Sequence, residues 1–243
     1  MKGYWTDRVA AASVDWCEPN YLVSPFVAEW WNTWSSIVIS LGAVLGLGML
    51  LCSGWPRERR FVLGYVVVFV VGVGSAAFHG TLSKLGQALD ELPMIAAGLV
   101  FAYTVRFRAS TRPPAAEMQT AMRRWRLSLF AYATAFAGAY FLLPAYFTLF
   151  ILSYSALIAY LVVRTALVSL REDPRPDRRR WFLLSAGSYV GGVLLLWVPE
   201  HLIFDCAHPV QALQLHAFFH LTSAFGSFAW LRWAVLDRRD LGA

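Results

Sequence analysis

Residues 61–80 read FVLGYVVVFVVGVGSAAFHG. The run holds no lysine, arginine, aspartate or glutamate, and it matches the ~20 residues a helix needs to cross the hydrocarbon core of a bilayer. Six further runs flank it: Asn32–Cys52, Ala88–Phe107, Trp125–Leu143, Tyr146–Val168, Trp181–Val198 and Ala212–Leu236. The 243 residues are 58% hydrophobic and 15% charged, with a mean hydropathy of +0.51. A soluble domain of this length could not hide so much apolar surface. The sequence therefore predicts an all-α integral membrane protein, a seven-transmembrane helix bundle without repeats or low-complexity linkers. A tail over 1–31, a membrane domain over 32–236 and a second tail over 237–243 complete the expected layout.

The net charge of +6 could suggest a nucleic-acid partner, but its distribution excludes one. With the seven runs alternating in direction, one side of the membrane receives Lys2, Arg8 and Lys84. The other receives the remaining 18 of the 21 basic residues, Arg112 and the Arg178-Arg179-Arg180 run among them. Positive charge stays cytoplasmic, so the amino terminus is expected outside or in a lumen and the carboxyl terminus in the cytosol. Met1–Asp15 has no apolar core of a signal peptide, so the first span is expected to export the tail itself. That tail is rich in interfacial aromatics, including Tyr4, Trp5, Trp16, Tyr21, Phe26 and Trp30. Gly42 with Gly46, and Gly187 with Gly191, are spaced to allow close helix crossings.

Ionisable groups inside a membrane are costly and call for a reason. His79 ends the second run, which travels outward. His216 and His220 begin the seventh, which travels inward, so all three reach a similar depth. Four residues apart is one helical face, so His216 and His220 can grip one ion, with His79 as third ligand. Imidazole suits zinc, and three protein ligands leave a fourth position open. A lone histidine would be read as hydrogen-bonding across helices; three at one depth read as a metal site. Ser75 shares the face of His79 one turn deeper, and Asp90 and Glu91 open the third run beside it. Of the two acids, one is expected to face the bundle and the other the interface. His201 and His208 are expected to be ordinary residues of the loop between the last two runs. Asp15, Glu18, Asn20 and Glu29 form an acidic group in the tail, with the oxygen donors a hard cation prefers but without EF-hand spacing. On residues alone it reads as a solvated acidic tail. Cys17 and Cys206 both fall on the outer side, where they could bridge or stay as two thiols.

Three blocks resemble the alkaline ceramidases: Asp15-Trp16-Cys17-Glu18-Pro19-Asn20-Tyr21 with Ala28-Glu29-Trp30-Trp31-Asn32-Thr33, Gly74-Ser75-Ala76-Ala77-Phe78-His79-Gly80 with Leu89-Asp90-Glu91-Leu92-Pro93-Met94, and His216-Ala217-Phe218-Phe219-His220. They occur in order and span the whole membrane domain. The resemblance implies a membrane-embedded amidohydrolase that cleaves ceramide-like lipids to a sphingoid base and a fatty acid. It implies a catalytic zinc on His79, His216 and His220, an oxyanion-stabilising Ser75 and a proton-shuttling Asp90. It also implies calcium on Asp15, the Trp16 carbonyl, Glu18, Asn20 and Glu29, and a Cys17–Cys206 disulfide. Pro19, Ala76 and Ala77 depart from the family pattern and leave substrate preference open. The rival is an adiponectin-type receptor of the same superfamily with a structural zinc. It leaves the acidic tail unexplained and expects the opposite orientation. The expected membrane is endoplasmic reticulum or Golgi in a eukaryote, or the inner membrane in a bacterium.

Overall fold

In the computed structural model, residues 3–55, 57–108 and 114–242 are described; Lys2 and Arg112, two of the charges counted above, lie outside them. Seven long helices are formed among these residues: α1 Trp30–Cys52, α2 Arg59–Thr81, α3 Lys84–Arg106, α4 Ala116–Leu142, α5 Tyr146–Leu167, α6 Pro176–Gly192 and α7 Leu215–Gly242. Five are long and apolar enough to cross a membrane, two of them counted with the π-helical turns that extend α5 to Glu172 and α6 to Ile203. The arginines in the first half of α4, and the histidines and terminal charges of α7, make those two less apolar.

Connections are short and consecutive helices run antiparallel. The tightest contacts are α1 with α2, α2 with α3, α6 with α7 and α1 with α7; α4 rests loosely on α3 and α5. Only Phe136 and Tyr140 of α4 are buried. Glycines set the closest crossings, though not at all the places expected. A Cβ on Gly46 would lie 2.2 Å from the Tyr65 ring, whereas Gly42, Gly187 and Gly191 face open space. The decisive approach is at Gly74, where a Cβ would stand 1.8 Å from the Leu89 carbonyl oxygen. Helix α3 can pass this close only because no side chain intervenes.

Several boundaries differ from the sequence reading. α3 begins four residues earlier, at Lys84, because Ser83 caps it by accepting the Gly86 N–H at 2.9 Å. α7 begins at Leu215 after a 3₁₀ turn, Pro209–Leu213, and a left-handed Gln214. It also runs on to Gly242, so the tail expected from 237 is in fact the last turns of a helix. Those turns stay folded because Asp237 is buried and receives two hydrogen bonds from Arg108, at 2.9 and 2.6 Å, and one from the fully buried Arg178. Arg178 also pairs with Asp173, whose carboxyl its hydrogen bond holds below the ordinary range. This charged cluster closes the end of the bundle opposite the histidines.

Candidate metal centre

His79 sits in the last turn of α2, and His216 and His220 in the first two turns of α7. All three side chains are buried, and one ligand atom from each lies within 4.8 Å of the others. No other trio of histidine, cysteine or carboxylate ligand atoms comes this close among the described residues.

Neighbouring groups orient two of the rings. Glu29 accepts a hydrogen bond from Nδ1–H of His79, which turns Nε2 toward the cluster. Ser35 Oγ lies 2.8 Å from Nδ1 of His220, and itself donates to the Asn32 carbonyl. A proton on Nδ1 therefore leaves Nε2 of His220 as the free donor atom. His216 is stacked under Trp16, with ring centroids 3.8 Å apart and planes inclined at 26°. Nε2 of His79 and Nδ1 of His216 are buried without a hydrogen-bond partner. A buried imidazole nitrogen left bare costs stability unless something occupies it, and a metal ion suits this set of three nitrogens.

The Gly74 crossing places Ser75 of α2 beside Asp90 of α3. Ser36 of α1 donates to Ser75 Oγ at 3.0 Å, leaving Ser75 and Asp90 as adjacent polar groups. Both line a cavity of about 150 Å³ that also touches His216, His220 and Trp16 and extends between the helices to Trp230. Asp90 and Glu91 both face this cavity, instead of one facing the interface. The crossing at Gly74 brings the Leu89 carbonyl and the Asp90 amide against α2, so this turn of α3 lies at the seam between the helices. Glu91 is held by Gln87 at 2.8 Å, and Gln87 in turn accepts from the Ser13 N–H of the tail at 2.9 Å.

The acidic tail is ordered against the helices rather than loose in solvent. Glu18 accepts the backbone N–H groups of Trp31 at 2.7 Å and Asn32 at 2.9 Å, so it caps α1 from a distance. Glu29 accepts the Trp16 N–H at 2.9 Å in addition to holding His79. Burial raises the Glu18 carboxyl above its ordinary range, while the backbone N–H groups of Trp31 and Asn32 favour its charged form. Asp15 receives both its hydrogen bonds from the Asn20 amide, while Asn20 Oδ1 is buried and unpartnered. The four side chains are therefore neighbours, each already engaged, rather than a closed ligand shell. Cys17 and Cys206 are joined by a disulfide that fastens the tail to the segment before α7.

Other neighbours of the site were not singled out by the sequence reading. His201 lies in a π turn of the α6 continuation, not in a loop, and its ring is 5.2 Å from Trp16. Glu200, beside it, is buried, and the Gln211 amide donates to its backbone carbonyl at 3.4 Å. The one legible hint of Ser35 and Ser36 was their position one turn into the first run, at the depth of the histidines. His208 does behave as a loop residue, accepting the Val210 N–H at 3.2 Å.

A family model described as Ceramidase matches residues 9–240. Two Dictyostelium discoideum proteins named as candidate alkaline ceramidases, dcd3A and dcd3B, are 28% and 25% identical to this chain. The alignments cover 92% and 96% of the chain, and 85% and 88% of those proteins. Mouse alkaline ceramidase 3 is 42% identical over 106 residues, 42% of this chain and 37% of its own.

Proposed function

The chain belongs to the ceramidase family, and from that premise we propose that it is a membrane-embedded, zinc-dependent hydrolase of the ceramide amide bond. The relatives' activity supports the amide, and the observation that carries the metal is the pair of buried, unpartnered ring nitrogens on His79 and His216. Zinc held by His79, His216 and His220 would polarise the amide carbonyl and make a water acidic enough to attack near neutral pH.

The remaining work falls to the chain's own groups. Asp90 takes the proton of the attacking water and delivers it to the departing amine. Ser75, which lines the same cavity as Asp90, turns its hydroxyl to the carbonyl oxygen as charge develops there. The apolar cavity below keeps the lipid's chains among the helices and water away from them. Glu29 and Ser35 hold two imidazoles in the tautomer that leaves Nε2 free. With the arginine-rich end in the cytosol, the histidine end faces outside or a lumen.

Calcium is proposed to join Asp15, the Trp16 carbonyl, Glu18, Asn20 and Glu29. The unpartnered Asn20 Oδ1 beside Asp15 supports this, because a hard cation takes such oxygens. The hydrolase is tested by fatty-acid release from a labelled ceramide in detergent. Ser75→Ala and Asp90→Asn are expected to lower kcat at least 100-fold while the fold persists. Turnover at the wild-type rate in Asp90→Asn would remove Asp90 from the chemistry.

A further inference from the structure

Helix α4 is held to the bundle mainly at one end. Its buried residues, Phe136 and Tyr140, lie in its last two turns, near the histidine end, and none lies in its first four turns. Toward the arginine-rich end a groove of about 1170 Å³ opens between α4, α5 and Leu99 of α3, outside the cavity beneath the histidines. Trp125 lines it and is braced against Phe107 at the end of α3, with ring centroids 6.2 Å apart. The space exceeds the roughly 300–1,000 Å³ typical of pockets for small ligands. Across it, α5 presents the apolar Leu152 and Leu157.

The α4 wall of this groove is one helical face, ordered by polarity. Passing from the bundle's middle toward its arginine-rich end, the side chains are Tyr132, Ser128, Arg124 and Glu117. Arg124 and Glu117 are two turns apart, roughly 10 Å along the axis. Both are exposed, and neither forms a hydrogen bond or ion pair among the described residues. Arg126 lines a separate groove with Arg59 and Arg60, and Arg123 touches neither groove. The wall therefore carries one cation and, beyond it, one anion. A diacyl lipid with an amine beyond its phosphate has the complementary order: chains, ester oxygens, phosphate, ammonium. Its chains would meet Leu152, Leu157 and Tyr132, and Ser128 would donate to an ester oxygen. Arg124 would fork onto the phosphate, and Glu117 would accept from the ammonium. A lipid with a phosphate but no amine would leave Glu117 unmatched, and a quaternary ammonium has no N–H to donate to it.

We propose that the groove between α3, α4 and α5 binds one phosphatidylethanolamine from the leaflet at the arginine-rich end, and that this lipid supplies the packing that the first turns of α4 lack. The site lies away from the histidines and does not depend on the hydrolase reading; it requires only that the helices cross a membrane. Glu117 also favours the helix dipole from the first turn of α4, but that contribution is indifferent to headgroup.

The test gives the purified full-length protein an equimolar mixture of phosphatidylethanolamine, phosphatidylcholine and phosphatidylglycerol with matched acyl chains, and counts retained lipids by native mass spectrometry. Wild type is expected to retain phosphatidylethanolamine about two- to fivefold over each of the others, the scale of one partly exposed ion pair. The same lipid should raise Tm most. Glu117→Gln should bring both ratios toward one, and Arg124→Gln should lower retention of all three phospholipids. Glu117→Lys should turn the preference toward phosphatidylglycerol, a gain that a misfolded variant could not produce. Equal retention of the three lipids by wild type, or a wild-type preference for phosphatidylglycerol, overturns the proposal. So does a preference for phosphatidylethanolamine that survives in the Arg124→Gln/Glu117→Gln double variant.

Discussion

The two ends of the helix bundle both bury ionisable side chains, and they treat them in opposite ways. At one end Arg108, Arg178, Asp173 and Asp237 neutralise each other through short hydrogen bonds. Even Arg232, two of whose nitrogens lack a hydrogen-bond partner, lies 3.3 Å above the Trp55 ring. At the other end, three histidines converge with two bare ring nitrogens, while their carboxylate and hydroxyl neighbours hold them in place. Internally matched charge stabilises a fold. A set of donors positioned but unmatched is arranged for something that is not part of the chain.

This contrast can be broken most sharply at the histidines. Replacing His220 by alanine should remove bound metal and reduce hydrolysis by more than 100-fold, with little change in helix content by circular dichroism. If that variant keeps metal and turnover, the two ends do not differ in the way described. At the opposite end, Asp237→Asn leaves two guanidinium groups short of their counter-charge. It should destabilise the protein by about 3–5 kcal/mol, the scale for breaking a buried ion pair. Yet each folded molecule should retain its metal, so a Tm fall accompanied by metal loss would show that the ends are coupled. Glu29→Gln touches the metal centre from outside. Metal affinity should fall about 10- to 100-fold while the fold survives, as expected when a carboxylate orienting a histidine is neutralised; competition with a calibrated chelator measures it. The smallest effect is expected from Arg164→Gln, which removes an exposed pair with Glu172 at 3.2 Å. Such pairs contribute under about 1 kcal/mol, so a larger drop in Tm would mean that the arginine-rich end depends on more than its buried core.

The helices were legible because a bilayer demands ~20 apolar residues in a row and the chain supplies them repeatedly. The common depth of His79, His216 and His220 was legible too, since alternating directions bring the end of α2 and the start of α7 to the same level. What could not be read was anything decided by how closely two helices approach. Ser75 meets Asp90 because Gly74 lets α3 in, whereas Gly187 and Gly191 have the same small-residue spacing and meet nothing. Spacing records where a side chain is missing, not whether a neighbour exploits the gap. The tail posed a different difficulty. Its acids looked solvated, and the decisive fact is that Glu29 starts α1 at a point from which it can reach both His79 and the Trp16 N–H. Local propensity contains nothing of that reach across 50 residues of chain.

The most direct test of the histidine end is metal content measured together with turnover on one preparation. Protein purified without added metal is expected to contain about one zinc per chain by elemental analysis. Stripping it with a chelator should abolish ceramide hydrolysis, and one equivalent of zinc should restore it, whereas His79→Ala should neither bind nor respond. Full hydrolysis by metal-free protein, or zinc bound equally by wild type and His79→Ala, would contradict the account.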